Sequence, residues 1–217
     1  MKNKIIVLAL LISTLSYCQH GKTGFVAGVS NYSTKTDLLS SKSGIGYYLG
    51  IINTLDFNEK SELQVEIGVS KNFVTFLGRD DELGEPKEAK FSMTNPIVNA
   101  FYNYSFFEND NFKLGINAGP SVSILYEYKP VDDISDEFRI DPLLVEPFYL
   151  EFDTRNEVIS INVFAQLGLS AYYMDSFVFN LRYFHGITDP YRNAPIVSVI
   201  DINGKDSYFL FSIGYLL

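Results

Sequence analysis

Few side chains in this chain have the types and spacing that chemistry needs. The histidines are His20 and His185, and Ser198 is a hydroxyl in the stretch after His185. A serine nucleophile, a histidine base and an orienting acid act only where they meet in space, and no motif ties these residues together. Cys18 is the single cysteine, which excludes an internal disulfide and a cysteine-based metal site. Nine acids, from Asp132 to Glu157, crowd residues 130–157 against Arg139 and Arg155. Calcium takes six to eight oxygens, but the spacing of a helix–loop–helix calcium site is missing, so this stretch reads as a solvated acidic loop. Within it, Leu143-Leu144-Val145 and Pro147-Phe148-Tyr149-Leu150 are too apolar for a purely solvated segment, and either fold over their surroundings, extend as a hairpin or dock on a partner. Arg79-Asp80-Asp81 and Asp189-Pro190-Tyr191 read as ordinary turn chemistry.

The charges that ask for an explanation are Glu62, Glu66, Lys113 and Arg182, because each stands in a segment whose residues alternate between apolar and polar. From Phe112 to Tyr128 one face carries Phe112, Leu114, Ile116, Ala118, Val122, Ile124, Tyr126 and Tyr128, and the other carries mainly Lys, Gly, Asn and Ser. Strand side chains repeat every two residues, so this is a long strand with one greasy side and one small, wet side. Soluble strands are usually roughly five or six residues, whereas a strand crossing a bilayer needs about nine to eleven and often runs on.

The same alternation predicts eight strands, at about residues 22–30, 44–56, 61–70, 91–106, 112–127, 158–173, 176–186 and 207–217. Residues 57–60, 108–111 and 174–175 are tight polar turns; the other links, 31–43, 71–90, 128–157 and 187–206, are long. Short and long connections that alternate are the mark of a transmembrane barrel with short periplasmic turns and long external loops. Eleven of the fifteen glycines fall on the polar face. An eight-stranded barrel is just wide enough to be filled by side chains, so the small polar face points to the lumen and the bulky one to lipid. The expected fold is therefore all-β, an eight-stranded antiparallel up-and-down transmembrane barrel. Tyr47, Tyr102, Tyr104, Tyr126, Tyr173, Phe177, Phe179, Tyr183 and Tyr215 supply the interfacial belts that Trp, absent here, would otherwise share.

On this parity Glu62, Glu66, Lys113 and Arg182 all face inward. Counted from the short turns, Glu66 matches Arg182 in height and Glu62 matches Lys113. Isolated buried charges are costly, so the two pairs are expected to form an ion-pair plug in the lumen; the rival reading is a gated pore or proton path.

The N-terminus sets the compartment. Lys2 and Lys4, the apolar run Ile5 to Leu15 and Ser16-Tyr17-Cys18 form a signal peptide over residues 1–18, with the barrel domain over 19–217; the rival is a lipoprotein lipidated at Cys18. Losing Lys2 and Lys4 takes the formal charge from −9 to −11, an acidity that argues against a nucleic-acid partner. No apolar run of eighteen residues follows the signal, so no membrane helix is expected.

The signal ending in Cys18-Gln19, the eight strands and the terminal Tyr208-Phe209-Leu210-Phe211-Ser212-Ile213-Gly214-Tyr215-Leu216-Leu217 resemble the small outer-membrane β-barrel proteins of Bacteroidota, the PorT-like family, and the OmpA/OmpX type more generally. The resemblance covers essentially the whole mature chain and rests on pattern, with no invariant motif. It implies an outer-membrane location among lipid and lipopolysaccharide. It also implies that Phe209, Phe211, Ile213, Tyr215 and Leu217 form the C-terminal signal read by the barrel-assembly machinery, although the chain ends in Leu rather than the more familiar Phe. It does not imply one activity. A structural or surface-interaction protein without enzymatic activity, cofactor or metal, using the 128–157 loop toward a surface or envelope partner, is the leading expectation. A lipid A deacylase- or acyltransferase-like enzyme using His185 and Ser198, and a small-solute pore, are the rivals.

Overall fold

Strand formation here follows from two solvents acting on one wall. The computed structural model describes residues 21–37, 39–80, 83–124, 128–135, 137–141, 161–189 and 203–217. Its strands are β1 (Thr23–Thr36), β2 (Ser41–Asn58), β3 (Ser61–Arg79), β4 (Lys87–Asn109), β5 (Phe112–Ile124), the short β6 (Lys129–Pro130) and β7 (Arg139–Ile140), then β8 (Ile161–Tyr173), β9 (Phe177–Gly186) and β10 (Gly204–Leu216). The eight long strands pair antiparallel with their sequence neighbours, and β10 returns to β1 with Gly24 opposite Leu216 and Thr36 opposite Gly204. The ring closes, leaving no free edge along the membrane span. This is an eight-stranded up-and-down transmembrane β-barrel.

The short turns lie at one end. Met174 and Asp175 both have positive φ (51° and 52°), the signature of a type I′ two-residue hairpin. The Asn109 side chain accepts from the backbone N–H groups of Asn111 (3.1 Å) and Phe112 (2.8 Å), and Asn58 accepts from that of Lys60 (3.0 Å). Pro120 faces outward without a backbone donor, and the β4–β5 ladder lapses between the pairs Asn99–Ser121 and Tyr102–Ala118. Gly119 faces this gap, where an added Cβ would strike the Ala100 carbonyl.

The strands outrun the sequence reading at the external end. β3 was expected to stop near Ser70 and continues to Arg79; β1 runs to Thr36 and β4 begins at Lys87. The supposed long links 31–43 and 71–90 are therefore mostly strand. Only residues 37–40 join β1 to β2, so the strict alternation of short and long connections does not hold. The physical reason is an inversion of polarity along β3 and β4. In β3 the outward residues Leu63, Val65, Ile67 and Val69 suit lipid and the inward Glu62, Gln64 and Glu66 are polar; higher up, Val74 and Phe76 turn inward and are fully buried. In β4, Ala89, Phe91 and Met93 are buried inside while Glu88 and Lys90 face out. Above the bilayer the outside is water and the inside is dry, so the alternation that marks the membrane span reverses.

β5 ends at Ile124, and Tyr128, expected on the outer face, is 1 % exposed inside the barrel mouth. Tyr126 and Leu125, like residues 1–20, 142–160 and 190–202, lie outside the described residues. The remaining expected belt residues do face outward, with Phe177 beside Tyr215 (5.2 Å between ring centroids) and Tyr183 beside Phe209 (4.8 Å).

Candidate functional site

The lumen has three levels. At mid-height Glu66 on β3 faces Arg182 on β9, strands that are not neighbours in the ring. The guanidinium donates to both carboxylate oxygens, Nη1 to Oε2 at 2.9 Å and Nη2 to Oε1 at 2.6 Å, and both side chains are wholly buried. Asn99 Nδ2 donates to Glu66 Oε2 at 3.1 Å, and the Arg182 guanidinium lies 4.0 Å from the centroid of the Phe101 ring. Bidentate geometry, an extra donor and a stacked ring together offset the cost of burying two charges.

Toward the short turns, Glu62 accepts from Gln64 Nε2 (2.7 Å) and Asn103 Nδ2 (3.1 Å) and from the Tyr172 hydroxyl. Lys113 was expected to pair with Glu62. It does not: its ammonium reaches the rim and donates to the Glu59 backbone carbonyl at 2.9 Å. A lysine one residue past a turn has the length to leave the lumen for water, whereas Glu62 finds neutral donors without moving. Glu62, Tyr172 and Lys113, with Asp56, Glu59 and Lys22, line a cavity of about 360 Å³ open at this end.

At the external end the lumen is filled by rings. Phe184 stacks on Tyr208 (4.2 Å between centroids, 7° between planes), and Phe164 meets Tyr208 edge-on at 5.4 Å. Above them the chain after β5 folds back across the mouth. β6 pairs with β4 (Phe91 opposite Pro130) and β7 with β3 (Gly78 opposite Ile140), occupying the edges that β5 and β2 leave bare. Phe138 and Ile140 are fully buried, and Tyr128 packs edge-on against Phe76 at 5.6 Å. The Tyr128 hydroxyl meets Thr34 Oγ1 at 2.9 Å, and Thr34 in turn donates to the buried Asp206 at 2.8 Å. Arg79 clamps the strap, Nε to Asp141 Oδ1 at 2.9 Å and Nη2 to Oδ2 at 2.7 Å. That acid raises the Arg79 pKa further above its ordinary value. The Lys87 ammonium, and after it the Ser135 hydroxyl, hold the Asp80 carboxyl below the usual carboxylate range.

Two expectations are thereby corrected. The described part of the acidic loop is packed at its two ends, through Tyr128 and through Phe138, Ile140 and Asp141, while residues 129–133 between them stay exposed as a solvated segment would, and Arg79 and Asp80 anchor it rather than forming ordinary turn chemistry. The apolar stretches 143–145 and 147–150, and the Asp189-Pro190-Tyr191 turn beyond Asp189, lie outside the described residues. His185 is exposed on the outer wall, its ring 6.4 Å from that of Tyr183, while His20 and Ser198 lie outside the described residues. No group of three or more metal-ligating side chains gathers among the described residues. Phe209, Phe211, Ile213 and Tyr215 are exposed along the lipid face of β10, and Leu217, just past its end, is exposed as well. The aromatic layer and the Arg79–Asp141 clamp went unread in the sequence. The inward parity of Phe76, Phe91, Phe164 and Phe184 was the signal that could have exposed the layer.

A closed ring of strands with an apolar exterior and a filled interior defines a membrane-spanning barrel. The chain belongs to the outer membrane protein beta-barrel domain family, whose family model matches residues 20–192. It is an outer-membrane β-barrel protein. Among solved structures it is similar to Ail, the attachment invasion locus protein of Yersinia pestis (12 % identity, TM-score 0.46, covering 91 % of this chain and 99 % of that one). It is similar also to Neisserial surface protein A (14 %, 0.46, 90 % and 97 %) and to OprG from Pseudomonas aeruginosa (14 %, 0.44, 91 % and 94 %). No curated protein matches.

Proposed function

We propose that this protein is a non-enzymatic outer-membrane barrel with a structural or surface-interaction role and a plugged lumen. The observation that supports the reading is the Glu66–Arg182 pair spanning the lumen beneath the stacked Phe184 and Tyr208 rings, two filled levels among the described residues. The barrel is exported by a signal peptide over residues 1–18, belongs to the PorT-like group of Bacteroidota barrels, and is inserted by the barrel-assembly machinery through the β10 pattern of Phe209, Phe211, Ile213, Tyr215 and Leu217. A surface or envelope partner docks on the 128–157 loop, whose inner part is spent on capping the mouth. Planar-bilayer recording and mass spectrometry of lipid A from a deletion strain test the reading together. Absence of conductance and unchanged lipid A support it. Steady conductance would establish the pore instead, and altered acylation the enzyme. Cross-linking in intact cells then identifies the partner.

A further inference from the structure

The short-turn end of the lumen holds more negative charge than its own cations answer. The cavity of about 360 Å³ there is lined by Asp56, Glu59, Glu62, Glu108 and Asp175 against two lysines. Neither lysine forms an ion pair among the described residues: Lys22 donates to the Asp175 backbone carbonyl at 2.7 Å, and Lys113 to that of Glu59. Asp56 and Glu62 are moreover direct cross-strand partners of β2 and β3, and both side chains line the cavity. Like charges placed directly opposite destabilise a sheet. The Glu62 residue is 6 % exposed, and its three donors, Gln64, Asn103 and Tyr172, all reach Oε1. Its Oε2 takes no hydrogen bond among the described residues, yet it is not one of the polar atoms sealed from solvent, so it opens on the cavity.

The wall thus satisfies one oxygen of a buried carboxylate and leaves the other to a positively charged donor from the cavity. A metal ion does not suit the place, because no three metal-ligating side chains converge among the described residues. A chain-like organic cation does. An ammonium carries three N–H donors, enough to bridge Glu62 Oε2 and Asp56 with charge-assisted bonds. A methylene stem then leads out to the rim, where Glu59, Glu108 and Asp175 can take a second ammonium. The volume suits a small ligand, whose sites usually measure roughly 300–1,000 Å³. We propose that this cavity binds a linear alkylammonium ion, either a free polyamine or the lysine side chain of a periplasmic protein, with its inner ammonium between Glu62 and Asp56. The site lies below the Glu66–Arg182 pair and stands whether or not the lumen conducts.

The test is isothermal titration calorimetry on the folded full-length protein in a non-ionic detergent. Four probes are compared: spermidine, a lysine blocked at both its α-amino and carboxyl groups, 1,4-butanediol and calcium chloride. Saturable binding of spermidine is the expected result, weakened roughly tenfold in Glu62→Gln and in Asp56→Asn, since each removes a hydrogen bond to a charged group. Glu88→Gln, on the outer wall, should leave binding unchanged. Blocked lysine binding as tightly as spermidine assigns the site to a protein side chain; spermidine binding alone assigns it to a free polyamine. Calcium or the neutral diol binding as tightly as spermidine, equal binding in both cavity variants, or no saturable binding would overturn the proposal. Heat-modifiable gel migration verifies that the variants are folded. Asp56 is exposed at the rim, so its variant keeps the test readable even where Glu62→Gln disturbs the wall.

Discussion

Arg182 and Glu66, 116 positions apart in sequence, meet through two parallel hydrogen bonds across the middle of the barrel. Because their strands share no ladder, this contact ties opposite walls together, and it does so with both charges out of water. Removing one member leaves the other buried and uncompensated, which costs about 3–5 kcal/mol. Glu66→Gln and Arg182→Met are each expected to lower unfolding stability in detergent by that order. The double variant should recover part of the loss, because the coupled pair is removed whole. Denaturant titration of the four proteins measures the coupling, and additive losses would mean that the two charges do not support one another.

Gly168 lies opposite Arg182 in the β8–β9 ladder, and a Cβ there would come within 2.8 Å of Arg182 Cγ and 2.6 Å of the Leu181 carbonyl. Gly168→Val should therefore crowd the Arg182 side-chain stem, straining its hold on Glu66 without breaking it, and cost about 1–3 kcal/mol by overpacking. In an Arg182→Met background the same substitution should cost less. Equal cost in both backgrounds would place the strain in the backbone alone.

The cap should open without the barrel. Asp141→Asn weakens the charge-assisted hold of Arg79 on the strap, so hydrogen exchange is expected to quicken in residues 128–141 while β9 and β10 keep their protection. Uniform loss of protection across the ladder would show that strap and wall unfold as one unit.

Acid should loosen the same cap at its second anchor. The folded-state pKa of Asp80 is depressed by Lys87 and Ser135. The contribution is therefore complete above the unfolded carboxylate value, near pH ~4, and drains away as pH falls through the lower folded value. Exchange protection around Ser135 is expected to stay level from neutrality to about pH 5 and to fall beneath pH ~4. Asp80→Asn should abolish that step, and a step persisting in the variant would assign it to another acid.

Much of the barrel was legible because lipid imposes a rule that sequence records directly. Leu63, Val65, Ile67 and Val69 alternate with Glu62, Gln64, Glu66 and Gly68; parity put Glu66 and Arg182 in the lumen, and counting from the short turns put them at one height. What escaped reading lay where that rule changes or where a side chain has a choice. Val74, Phe76 and Ala89 obey the opposite sorting, so their segment looked like a loop. Lys113 has the reach to abandon the lumen for a turn carbonyl, and spacing cannot forecast that. Arg79 finds Asp141 only because the strap recrosses the mouth, a tertiary event with no local signature.

The reversal of sorting along β3 and β4 also sets the depth at which the molecule rides. Were the barrel to sink, Lys71 and Thr94 would enter hydrocarbon; were it to rise, Val69 and Leu49 would meet water. Each displacement is penalised from its own side, so the wall acts as a plumb line that a thicker or thinner bilayer must adjust to. The aromatic layer inside sits above that line and stays dry whatever the lipid does, which makes the closure of the mouth a property of the protein alone.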